Sequence, residues 1–189
     1  MILISACLVG QNVRYDGGNK LNSELKTLVD QGLAKPICPE VLGCLTTPRN
    51  PAEIVGGDGF DVLKNKAKII DNQGNNVTDE YINGAIKALD ICKEMKCKTL
   101  ILKSDSPTCS SQNIYSGQFD GSKKQGVGIF AALLIKNGIQ IYDEKTIKFN
   151  CFIPIALLTL SLGTLNNPKT CRIVGLVAHA MPTFVCKFS

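Results

Sequence analysis

The chain has 189 residues, 44% of them apolar, enough to bury the core of one domain and too few for two ordinary ones. Its net charge of +5 is confined to the end: all 16 acidic residues precede Lys145, and the excess is made up by Lys145, Lys148, Lys169, Arg172 and Lys187. The part up to Glu144 is therefore neutral and carries no basic stripe for nucleic acid, and the single histidine, His179, excludes a Ser-His-Asp or Cys-His mechanism there.

Nine cysteines, an odd count, make a poor disulfide framework. Met1-Ile2-Leu3-Ile4 lacks the positive region and the length of a signal peptide. A cytoplasmic protein is expected, in which thiols serve as metal ligands, catalytic groups or core residues.

In chain order, Ile2 to Ser5 reads as a short strand buried on both faces. Asn22 or Ser23 caps a helix with Leu25, Leu28 and Val29 at helical spacing, ended by Gly32. Pro36-Ile37 is a brief strand, and Gly43 to Pro51 is a loop because Pro48 and Pro51 deny ladder or helix geometry. Gly56-Gly57-Asp58-Gly59 reads as a tight turn and Ala67 to Asp71 as a strand. Thr78 is expected to cap a helix with Ile82, Ala85, Ile86, Leu89 and Cys92 on its apolar stripe. Thr99 to Leu102 is the clearest strand. A loop from Gly117 to Gly126 enters a helix through Phe130, Leu133 and Leu134, and Ile139 to Tyr142 is the last strand. Strands alternating with helices at this spacing imply an α/β fold, a single domain over residues 1–144 with a mostly parallel central sheet flanked by helices.

Residues 145–189 are expected to be an atypical C-terminal extension, apolar and basic, without a catalytic role. Neither of its apolar runs reaches the roughly 20 residues that span a bilayer, so no membrane partner is expected, while self-association through it stays open.

In a parallel sheet the carboxyl ends of the strands share one edge, where ligands bind. Cys7, Cys38 and Cys109 each lie just beyond the carboxyl end of a predicted strand. Any one of them is as well explained as a small buried core residue; all three at equivalent positions point to a metal centre. Zinc and iron–sulfur clusters both accept thiolates. The chain has no C-x-x-C pair, and a structural zinc would need Cys44 or Glu40 as a fourth ligand. Three thiolates on a four-iron cluster leave one iron open as a Lewis acid. Glu40 is either a solvated loop acid or a general base beside the centre, and Ser104, Asp105 and Ser106 are either turn formers next to Pro107 or a proton relay. Gly126-Val127-Gly128-Ile129-Phe130-Ala131 fits G-x-G-x-x-A, but with no predicted strand before it the dinucleotide reading fails, leaving a helix amino end that would face an anion. Cys92 and Cys97 read as packing residues.

Taken in order, Ser5-Ala6-Cys7-Leu8-Val9-Gly10, Arg14-Tyr15-Asp16-Gly17, Cys38-Pro39-Glu40-Val41-Leu42-Gly43, Pro48-Arg49-Asn50-Pro51-Ala52-Glu53-Ile54, Gly57-Asp58-Gly59 and Ser106-Pro107-Thr108-Cys109 with Ile114-Tyr115 resemble the DUF523 family, whose characterised members are thiouracil desulfurases. The resemblance covers about residues 1–144. It implies a [4Fe-4S] cluster held by Cys7, Cys38 and Cys109 and a small thiolated pyrimidine as substrate. It further implies that the open iron captures the thiocarbonyl sulfur while water attacks the carbon, helped by an acid and a serine. Glu40 is the carboxylate this points to, with Ser106 the first choice of serine and Ser104 the second. Two positions depart from the family pattern: Cys44 and Ser110 stand where glycine is usual. The alternative reading is a non-catalytic zinc- or cluster-binding module.

Overall fold

The computed structural model describes residues 1–147, and the expectations for the extension beyond Ile147, self-association among them, concern residues outside that range. The elements run β1 (Ile2–Ser5), a 3₁₀ turn (Ala6–Val9), α1 (Ser23–Asp30), β2 (Ala34–Ile37), α2 (Pro39–Leu42), β3 (Ala52–Val55) and α3 (Gly59–Val62). They continue with β4 (Lys68–Asp71), α4 (Thr78–Glu94), β5 (Thr99–Leu102), β6 (Asn113–Tyr115), β7 (Lys123–Gln125), α5 (Ile129–Lys136) and β8 (Gln140–Asp143).

The expected α/β fold is present. A four-stranded sheet in the order β2-β1-β5-β8 is parallel throughout, and two antiparallel hairpins, β3-β4 and β6-β7, stand outside it. The chain leaves β1 toward β2 and leaves β5 toward β8 in the opposite direction, so the order reverses between β1 and β5. That is the switch point at which parallel sheets open a crevice.

Alternation along the strands divides the core. Leu3, Ile37, Leu100 and Leu102 join one large cluster with Ala85, Ala88 and Leu89 of α4 and Phe130, Ala131 and Leu134 of α5. Ile4, Ile101 and Leu25 are equally buried but lie outside it. Right-handed crossovers account for the division, since they put α1 on one face and α4 with α5 on the other.

Asn22 caps α1 as expected, its side chain accepting from Leu25 N at 3.1 Å. Thr78 does not cap α4. It is the first helical residue, and its hydroxyl instead accepts from Ile69 N of β4 at 2.9 Å, docking the hairpin onto the helix. The supposed tight turn at Gly57 to Gly59 leads into α3, which Asp58 and Asp61 start with a capping box. Lys123–Gln125, expected as loop, is a strand paired with Tyr115–Asn113.

Two glycines bring α2 onto α4. A Cβ on Gly84 would lie 2.1 Å from Pro39 O, and one on Gly43 would lie 2.2 Å from Glu80 O. Only bare backbones can approach so closely, and this contact fixes the turn that carries Cys38 and Glu40.

Candidate active site

A cleft of about 610 Å³ opens at the carboxyl ends of the parallel strands, and Cys7, Cys38 and Cys109 all line it. They follow β1, β2 and β5, three adjacent strands, so sequence-distant thiols are brought to the same sheet edge. Cys7 sits in the 3₁₀ turn directly after β1, and Cys38 occupies the N-cap position of α2. Cys109 is placed by its own loop: Ser106 Oγ accepts from Thr108 N and Cys109 N, both at 3.1 Å.

The amino end of α5 also holds that loop. Gly128 N, Ile129 N and Phe130 N donate to the carbonyls of Ser110, Pro107 and Thr108 at 2.8, 2.9 and 2.9 Å. The expected anion site at this helix end is therefore absent, because its free amides are spent on the Cys109 turn. A strand, β7, does precede the Gly126-x-Gly128 motif, contrary to the sequence reading. It belongs to an antiparallel hairpin rather than a βαβ unit, and the dinucleotide reading still lacks its context.

The thiols are strongly perturbed. Burial, then the charge of Cys38, pushes the Cys7 thiol up to about 12. Burial and the Glu40 carboxylate likewise raise Cys38. Burial and then Glu40 also raise Cys109 well above the usual thiol value, against a lowering hydrogen bond from Ser5. A pocket that penalises bare thiolates in this way suits ligands whose charge a metal centre compensates. The donor set, three thiols on neighbouring strand ends facing one cavity, fits a cluster bound by three cysteines. Among the described residues no three His, Cys, Asp or Glu groups gather closely enough to hold a single metal ion.

Glu40 lies in the cleft and not in solvent: its side chain is 14% exposed, paired with Arg49 at 7%. Arg49 Nη2 donates to Glu40 Oε2, and the Thr108 hydroxyl donates to Oε1 at 2.6 Å. Arg49 also reaches Val13 O at 3.1 Å, tying the carboxylate to the loop that follows Cys7. Buried Tyr81 stands behind this pair, its hydroxyl pushed well up by burial and by Glu40.

The two candidate serines differ in what their hydroxyls do. Ser106 Oγ accepts two backbone amides, which leaves its own proton free. Ser104 Oγ accepts from Lys103 Nζ at 3.0 Å and donates to Glu144 Oε1 at 2.8 Å, so its proton is committed. Asp105 is held by Lys145 and Lys123 at 2.6 and 3.0 Å. Burial alone would raise its pKa, but those two lysines hold it below the usual carboxylate value.

Cys44 is exposed and does not line the cleft, and Cys92 and Cys97 are buried in the core. Arg49 and Thr108 fall within the motifs quoted above, but nothing local marks their role, since their shared partner Glu40 lies 9 and 68 positions away; Glu144 meets Ser104 40 positions away.

The model of the family described as 2-thiouracil desulfurase matches residues 2–146. A relative from Bacillus subtilis (strain 168), described as uncharacterized protein YbbK, is 46% identical over 145 residues, spanning 77% of this chain and 96% of the relative. Among solved structures, the fold superposes on one described as the [4Fe-4S]-dependent thiouracil desulfidase TudS with a TM-score of 0.68 and 40% identity, covering 77% of this chain and 91% of that one.

Proposed function

This chain belongs to the 2-thiouracil desulfurase family, and from that premise we propose that it is a [4Fe-4S]-dependent enzyme that cleaves the carbon–sulfur bond of a small thiolated pyrimidine such as 2-thiouracil. The observation that carries the reading is the convergence of Cys7, Cys38 and Cys109 from three adjacent strands on a cleft that also holds Glu40. Those cysteines would hold the cluster, which would supply a thiophilic Lewis acid to the cleft.

The net reaction is hydrolytic: C=S and water give C=O and hydrogen sulfide, with no net electron transfer. The chain's task is to activate water and to place the carbon. Glu40 is the base that takes the proton from water. Arg49 and Thr108 fix its two oxygens while leaving each a lone pair, so the carboxylate is aimed before substrate arrives. Ser106, with its proton uncommitted, is the serine that donates to charge developing on the substrate. Ser104 instead belongs to the Lys103–Glu144 network that braces the Cys109 loop. We place the enzyme in the reducing cytosol, where free thiols persist.

Anaerobic reconstitution followed by incubation with 2-thiouracil tests the proposal. Stoichiometric uracil and sulfide are expected; a fully loaded cluster that yields neither would refute it and favour the non-catalytic module.

A further inference from the structure

Of the aromatic side chains among residues 1–147, Tyr15, Tyr81, Tyr115 and Phe119 line the cleft, whereas Phe60, Phe130 and Tyr142 do not. Tyr81 is a core residue at 3% exposure, whereas Phe119 and Tyr15 are 40% and 42% exposed. Phe119 is one of several large apolar residues left exposed, and its backbone sets it apart from the others that line the cleft. Phe119 has φ +57°, in the left-handed region that a bulky side chain adopts only when its surroundings impose it.

The surroundings are specific. Glu53 on β3 is 8% exposed, and its Oε2 accepts from Gly117 N at 2.8 Å and from Phe119 N at 3.3 Å. A buried carboxylate is costly unless paired or hydrogen-bonded, and here it is spent on the backbone of a surface loop. Lys124 Nζ clamps the same loop to β3 by donating to Ser116 O and Ile54 O at 2.9 and 3.3 Å. Asp120 closes it by accepting from Ser122 N at 2.8 Å and from Ser122 Oγ at 2.5 Å. Gly117, at φ +94°, lies so close to β3 that a Cβ would stand 2.6 Å from Ile54 O. The product of these contacts is one fixed backbone position for an aromatic residue that lines the cleft. A flat, unsaturated heterocycle is what such a ring binds, by stacking that needs no particular hydrogen-bond pattern.

We propose that Phe119 is the stacking platform for the pyrimidine ring of the substrate and that Glu53 is the positioning residue that sets it. The inference rests on the functional reading above and sharpens its substrate class: a planar ring is favoured over a puckered one, so the dihydro analogue of 2-thiouracil is a poor substrate for want of stacking.

The test uses the cluster-loaded protein. Phe119→Ala is expected to raise KM for 2-thiouracil about tenfold, within the range for loss of base–aromatic stacking, to move kcat far less, and to narrow the preference over the dihydro analogue. Glu53→Ala is expected to do the same, with the double variant no worse than either single one, since both remove one contact. Glu53→Gln keeps one acceptor oxygen and is expected to fall between, with an unchanged cluster spectrum. Phe119→Trp puts the only indole of the chain in the cleft lining, and uracil is expected to quench its fluorescence saturably. If wild type turns over 2-thiouracil while Phe119→Ala keeps its KM and the indole is not quenched, the platform is overturned and the function stands. If wild type is inactive but uracil and 2-thiouracil quench saturably, the platform stands and the function falls. Additive losses in the double variant would overturn the role of Glu53.

Discussion

The Thr108 hydroxyl donates to Glu40 Oε1 at 2.6 Å and so ties the neighbour of Cys109 to a carboxylate two residues beyond Cys38. One hydrogen bond thus registers the loop after β5 against the turn after β2, and the acid is positioned by the same segments that present the thiols. Thr108→Val keeps the shape and removes the donor. It is expected to lower kcat roughly tenfold, as loss of a charge-assisted hydrogen bond would, with the visible absorption of the cluster unchanged; Thr108→Ser is expected to retain most activity. Steady-state kinetics on reconstituted protein decide it, and a Thr108→Val enzyme as fast as wild type would reduce this contact to packing.

Arg49 and Glu40 are both largely out of water, which changes what a mutation measures. Removing one partner leaves the other charge buried and unpaired, so Arg49→Met is expected to destabilise the protein by about 3–5 kcal/mol. The double variant Arg49→Met with Glu40→Gln removes both charges and is expected to recover a large part of that loss. Urea unfolding midpoints of the single and double variants give the comparison; equal losses in both would show that the pair is not the source.

How far the chain could be read follows from which physics is local. β1 and β5 are buried on both faces, so they appear as unbroken apolar runs, and the cysteines at their ends were legible for the same reason. β7 was not legible: Lys123-Lys124-Gln125 has no apolar alternation, and it forms because Tyr115, Ile114 and Asn113 lie opposite. α2 and α3 have four residues each and show no helical period; Pro39 and the Asp58–Asp61 box set them instead. Strand order is decided by crossovers, which is why the convergence of the three thiols was an inference from the sequence and a placement in the fold. Arg49 was within reach of Glu40 only once the loop between them had closed, and nothing in its neighbours announces that.

Cys44 and Cys109 are expected to separate cleanly. Cys109→Ala removes a cleft thiol and should abolish the visible absorption of the cluster. Cys44 is exposed, outside the cleft, and held at φ +65°, where an L side chain is strained. Glycine relieves that strain, so Cys44→Gly is expected to keep the full cluster absorption and to raise stability by about 1 kcal/mol. A cluster lost with Cys44→Gly would make that thiol a ligand after all.

Asp71 supplies a pH dependence of stability remote from the thiols. Its carboxylate accepts from the side chains of Asn75 and Asn50 at 2.9 and 3.0 Å and from the backbone N–H groups of Asn75 and Gln73 at 2.8 and 2.9 Å. These bonds, led by the Asn75 side chain, hold its pKa down from 3.8 to about 2 in the folded state. A folded-state pKa below the unfolded one means that the unfolded chain binds the proton more readily. The stabilisation is therefore present above the ordinary value of 3.8 and is lost as pH falls through the folded value of about 2. Asp71→Asn cannot titrate: it is expected to be less stable than wild type at neutral pH, with the gap closing as pH falls from 3.8 toward about 2. Because acid also attacks the cluster, the informative quantity is the difference between the two proteins at each pH, from unfolding curves on matched samples. A difference that stays constant across that window would show that the turn at Asn72 to Asn75 does not depend on the charge of Asp71.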